Sequence, residues 1–144
     1  WTQQPYALRN RSAAADQRRN VYRVRILMIR QLDPQSVARG RSGADTTLMA
    51  AVLLDVREPW EFELAKIDGS VNLPMSTLVG RVDEVRALQG ADASAKPIVM
   101  ICHHGMRSMN CAQFLASQGI EGLINLSDGI DAWSQTVDPA VPRY

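Results

Sequence analysis

Short apolar stretches and segments with apolar residues every three to four positions alternate along this chain, and Gly, Pro and Asp punctuate the joins. A short strand over Ile29–Leu32 stops at Asp33-Pro34, and a short helix follows at Gln35–Arg39. Gly40–Thr47 has no periodicity and reads as a loop. Ala51–Val56 is a continuous apolar run bearing one acid, the pattern of a strand buried on both faces. Pro59 then suits the first turn of a helix over Trp60–Ala65. Val71–Leu73 is a brief strand between Gly69 and Pro74. Ser76 is placed to N-cap a helix over Thr77–Leu88, where Leu78, Val82, Val85 and Leu88 recur at helical spacing. After a Gly90–Lys96 loop, Pro97–Ile101 carries the strongest strand signal in the chain. Ser108–Gln118 is helical, with Ala112, Leu115 and Ala116 on one face and Gly119 just past its end. Leu123–Leu126 is a further strand, Ile130–Val137 a last short helix, and Asp138–Tyr144 an irregular tail. Strands alternating with helices make an α/β protein with a mostly parallel central sheet. Ligands in such sheets bind beyond the carboxyl ends of the strands, which draws attention to the residues after Ile101.

Composition narrows the class without changing that picture. At 144 residues, 46% hydrophobic and 22% charged, the chain has the makeup of one globular domain. Its longest apolar run, Leu48–Leu54, is far short of the ~20 residues of a membrane span. Charge is less even than the net +1 implies. Residues 1–27 hold six arginines against Asp16 alone, whereas residues 28–144 are mildly acidic. The basic stretch would suit phosphate contact or a transit segment. Trp1, Tyr6 and Tyr22 fall at no regular spacing for stacking on bases, however, so no nucleic-acid partner is expected. Residues 1–27 are read as a poorly ordered extension and residues 28–144 as the domain. Two cysteines, Cys102 and Cys111, do not make a disulfide framework, and a reducing, cytoplasmic setting is the default.

The segment leaving the strongest strand reads Cys102-His103-His104-Gly105-Met106-Arg107-Ser108. A cysteine here faces the unpaired N–H groups and positive end of the following helix. If the intervening amides curl inward they form an anion nest. Both effects favour thiolate over thiol and make Cys102 an activated nucleophile. Arg107 closes the loop and has the geometry to hold an anion by paired hydrogen bonds. Cys102, His103 and His104 are consecutive and cannot easily converge on one tetrahedral metal, so no metal is expected. Cys111 reads as a small core side chain. The two histidine rings are expected to face solvent in part.

Cys-x-x-x-x-Arg-Ser after an apolar strand resembles the active-site loop of rhodanese-like sulfurtransferases. Asp55-Val56-Arg57-Glu58 followed by Trp60-Glu61-Phe62, Gly69-Ser70-Val71-Asn72-Leu73-Pro74, and Gly129-Ile130-Asp131-Ala132-Trp133 agree with it. The resemblance covers about residues 29–144. It implies a single domain with a five-stranded sheet flanked by helices on both faces, and a loop from His103 to Arg107 cradling Cys102. It further implies transfer of a sulfane sulfur from a thiosulfate-like donor, through a Cys102 persulfide, to cyanide or a thiol, without cofactor. A relay module serving protein partners is the alternative. Cysteine phosphatases resemble it less, because they place five residues between Cys and Arg and this chain has four. Asp55, Arg57 and Ser108 are expected to support the site. Lys66, Asp68 and Asp128 depart from the family pattern at positions outside the loop.

Overall fold

The computed structural model describes residues 13–21, 23–24, 29–91 and 95–144. Residues 13–21 form a largely exposed helix, α1; the rest of the basic extension, save residues 23 and 24, lies outside the described residues. The domain then runs β1 Arg30–Leu32, α2 Pro34–Arg39, α3 Thr46–Met49, β2 Val52–Asp55, α4 Pro59–Leu64, β3 Val71–Asn72, α5 Met75–Leu78, α6 Val82–Gln89, β4 Ile98–Ile101, α7 Met106–Ser117, β5 Leu123–Leu126 and α8 Gly129–Thr136.

All five strands are parallel, in the order β1-β5-β4-β2-β3. Residues of β2, β4 and β5 alternate between two faces. Leu54, Ile98, Met100 and Leu123 pack with Leu78, Val85, Ala112 and Leu115 on one side. Leu53, Val99, Ile101, Ile124 and Leu126 pack with Val37, Leu48, Ile130 and Trp133 on the other. Helices cover both faces, so β4 is buried throughout and reads as an unbroken apolar run. The register sets Asp55 beside Ile101 and Met100 beside Asn125, bringing the carboxyl ends of β2, β4 and β5 together.

Three expectations give way. Ser76 caps nothing: it lies inside α5, whose N-cap is Pro74, and its hydroxyl donates to Glu58 Oε2 at 3.2 Å. The helix expected over Thr77–Leu88 is three pieces, with a 3₁₀ turn at Val79–Arg81 between α5 and α6. Gly80, a poor helix former, sits in that turn, and Arg81 leaves the helical region at φ −125°. Gly40–Thr47 is also more ordered than a loop. A wide turn over Gly40–Ala44 leads into α3, which Asp45 caps by accepting the Thr47 amide at 2.9 Å. Arg81–Glu84 and Arg86–Asp83 form exposed pairs on a solvated face.

Candidate active site

Cys102 follows β4 directly and is 1% exposed, and the loop 103–105 turns over it into α7. The turn needs Gly105, which stands at φ +101°, a region that side chains disfavour. That conformation points the Gly105 amide at Cys102 Sγ, to which it donates at 3.0 Å. Ser108, buried in the first turn of α7, donates to the same sulfur at 3.2 Å and to Asn125 Oδ1 at 2.6 Å. The Gly105 carbonyl lies within reach too, at 3.3 Å, so one hydroxyl proton is shared among three acceptors.

Asn125 anchors this arrangement from β5. Its Nδ2 donates to the Gly105 carbonyl at 3.0 Å and to Gln31 Oε1 at 2.9 Å. From below, the first amides of α8 hold the loop: Ile130 N–H donates to the Cys102 carbonyl at 2.9 Å and Asp131 N–H to the His103 carbonyl at 3.1 Å. That approach requires Gly129, since a Cβ there would sit inside the His103 and Cys102 carbonyls. Asp128 precedes it at φ +60°, a left-handed conformation that aspartate tolerates better than most residues. This departure from the family pattern therefore keeps the backbone a glycine would give.

Arg107, at the start of α7, lies 36% exposed and gives both terminal nitrogens to Glu61 of α4, Nη1 to Oε2 and Nη2 to Oε1, each at 2.8 Å. Glu61 is buried. It also accepts the Glu58 amide at 2.9 Å, closing the N-terminus of α4, and the Tyr144 hydroxyl at 2.9 Å. The Arg107 hydrogen bonds hold the Glu61 carboxyl at about 2, against a burial cost that acts the other way. Tyr144 passes the connection on by accepting from Arg57 Nη1 at 2.9 Å. Arg57 and Asp55 are wholly buried and joined at 2.7 Å, and Arg57 donates further to the carbonyls of Glu61 and Ala65. Asp55 and Arg57 therefore brace α4 and the tail, and their side chains connect to Arg107 of the loop through Tyr144 and Glu61.

Tyr144 also stacks on the His103 ring, with centroids 4.1 Å apart and planes within 5°. His103 in turn lies 3.9 Å from the His104 ring. Burial, then the neighbouring His104, lowers the His103 imidazole and so disfavours a charge on its ring. His104 is exposed, and its Nδ1 stands 4.0 Å from Asp131, which is committed to Arg143 at 2.9 Å. Cys111 is a buried core side chain pushed up to about 12 by that burial. Met106 is 79% exposed.

Of the site residues expected from sequence, the structure gathers Cys102, Gly105 and Ser108 around the sulfur, and turns Arg107 towards Glu61. Sequence reasoning missed the roles of Glu61, Asn125, Gln31 and Tyr144. Asn125 carried a signal, as the one polar residue in an apolar core strand, Leu-Ile-Asn-Leu.

The family model of the Rhodanese-like domain matches residues 34–136. The chain is 35% identical over 94 residues, 65% of its length, to the rhodanese-like/PpiC domain-containing protein 12, chloroplastic, of Arabidopsis thaliana. It is 32% identical over 93 residues, again 65% of its length, to adenylyltransferase and sulfurtransferase MOCS3-2 of Zea mays. The matches cover 30% and 19% of those two longer proteins. Among solved structures, a rhodanese-related protein from Thermoplasma volcanium superposes with a TM-score of 0.61 at 26% identity, over 75% of this chain and 93% of that one.

Proposed function

Because the chain belongs to the rhodanese-like family, we propose that it is a sulfurtransferase working through a persulfide on Cys102. The thiolate attacks the outer sulfur of a donor such as thiosulfate. The donor's S–S bond breaks, sulfite leaves with the bonding pair, and the enzyme holds Cys102–S–S⁻. A thiophile, cyanide or a thiol, then attacks the outer sulfur and the Cys102 thiolate is released. The observation that carries this reading is the pair of donors, the Gly105 amide and the Ser108 hydroxyl, aimed at Cys102 Sγ. Donors fixed before the reaction stabilise negative sulfur without reorganising. The four-residue spacing between Cys102 and Arg107 makes a tighter ring than cysteine phosphatases use for a tetrahedral phosphate. The chemistry needs no metal or organic cofactor. A free catalytic thiol suits a reducing compartment such as the cytoplasm; among the described residues no helix is long and apolar enough to cross a membrane.

A second reading, a relay that exchanges sulfur with protein partners, is favoured by one feature. Cys102 is buried, while apolar side chains at the start of α7 and on α4, Met106 and Trp60, are 79% and 62% exposed. Intact mass before and after thiosulfate tests the first reading. A gain of one sulfur (about 32 Da), removed by cyanide and absent in Cys102→Ser, is the expected result. Ready loading with slow steady-state turnover would favour the relay, and no gain from any sulfane donor would overturn both.

A further inference from the structure

Arg107 is the permanent cation of the Cys102 loop, yet its charge is not free. Both terminal nitrogens are committed to Glu61, whose carboxylate is 6% exposed and further fixed by the Glu58 amide and the Tyr144 hydroxyl. The next guanidinium groups along the same network are committed too, Arg57 to Asp55 and Arg143 to Asp131. His103 is partly buried between Tyr144 and His104, and burial and the neighbouring His104 disfavour a charge on its ring. What faces an incoming donor is a hydrogen-bonding but nearly charge-balanced mouth. A dianion such as thiosulfate needs net positive potential to shed its hydration, whereas an alkyl persulfide presents at most one charge, on the sulfur to be transferred.

We propose that Glu61 is a specificity-determining residue: by cancelling the charge of Arg107 it turns the site away from dianionic donors and towards persulfides of thiols. The inference rests on the sulfurtransferase reading. In its transfer step the Cys102 thiolate attacks the outer sulfur of R–S–SH. The S–S bond breaks, R–S⁻ departs with the electron pair, and Cys102–S–SH remains. No oxidant or reductant is needed, because the sulfane sulfur keeps its oxidation state.

The test compares thiosulfate with 2-hydroxyethyl persulfide, whose only charge is on the persulfide sulfur, as donors, reading sulfur loaded onto Cys102 by intact mass, in the full chain and in Glu61→Gln. The glutamine keeps the shape and an acceptor for Arg107 but removes the negative charge. The ratio of kcat/KM for thiosulfate to that for the persulfide should rise about tenfold, the scale of one charge interaction near a protein surface, and that rise should shrink in high salt. A ratio that stays put or falls would overturn the role of Glu61. Should Glu61→Gln fail to fold, the unaltered protein decides. Its thiosulfate loading should change less than about threefold between roughly 20 and 500 mM salt, since no uncompensated cation is there to be screened. A steeper fall would overturn the inference. Absence of sulfur on Cys102 from either donor would overturn the sulfurtransferase reading itself, whereas sulfuration with an unmoved ratio overturns only the part assigned to Glu61.

Discussion

Replacing Arg57 by methionine isolates the energetics beneath the site. Arg57 and Asp55 are both 0% exposed, and one guanidinium serves the Asp55 carboxylate, the carbonyls of Glu61 and Ala65, and the Tyr144 hydroxyl. Methionine fills much of the volume but leaves the Asp55 carboxylate buried without its partner, a fault that costs about 3–5 kcal/mol. The lost donors to the two carbonyls add roughly 1 kcal/mol each, partly offset where water enters. The sum, about 5 kcal/mol, is a third or more of the 5–15 kcal/mol that holds a typical domain together, and lowers Tm by about 10–20 °C. Urea unfolding followed by the fluorescence of Trp60 and Trp133 measures it. The double variant Asp55→Leu with Arg57→Met, which removes both charges, should recover at least about 2 kcal/mol of that loss, because an apolar pair leaves no charge uncompensated. A single variant within 1 kcal/mol of the parent, or a double variant as unstable as both singles added, would refute the argument that the pair is held by mutual neutralisation.

Two further outcomes follow from the loop and its counter-ion. Ser108→Ala removes one of two donors to Cys102 Sγ; a hydrogen bond to a charged group is worth about 1.5–3 kcal/mol, so alkylation of Cys102 at pH 7 should slow about tenfold or more, and an unchanged rate would mean the hydroxyl serves only Asn125. The Glu61 carboxyl is held at about 2 against an ordinary 4.5, chiefly by Arg107, so its contribution is present above pH 4.5 and is lost as the pH falls towards 2. With Arg107 a third exposed, that contribution is about 2 kcal/mol. Urea unfolding between pH 5 and 2.5 should show the parent's advantage over Glu61→Gln shrink to a minor part of its pH 5 value, and an advantage as large at pH 2.5 as at pH 5 would count against the pairing.

The sheet and the reactive loop were legible in the sequence because both rest on local patterns. Buried parallel strands such as Ile98–Ile101 read as unbroken apolar runs. Cys102, Gly105 and Ser108 sit within a few residues of one another, so their convergence needs only a turn. What escaped was non-local. Glu61 meets Arg107 across 46 positions, Asn125 meets Ser108 across 17 and Tyr144 meets Arg57 across 87; no spacing rule connects them. Glu61 in particular follows Pro59 in a helix whose neighbours Trp60 and Leu64 are exposed, so nothing local marks it as buried. The useful signal was Arg107, a lone cation closing an otherwise uncharged loop. The break of the Thr77–Leu88 helix at Gly80 shows the opposite failure, apolar spacing continuing through a turn that the backbone does not follow.

The strand order bears on how this protein comes into being on a ribosome. The first strand, β1, pairs only with the last, β5, so it must wait unpaired while nearly a hundred residues are made. Asn125 reaches the loop only once β5 has docked, and the stack on His103 only once Tyr144 has emerged. Domains of this kind close late, after their long-range contacts become available. The nascent Cys102 therefore has neither its Ser108–Asn125 partner set nor its tyrosine cover during synthesis. That set is complete only when the last strand docks beside the first at one edge of the sheet.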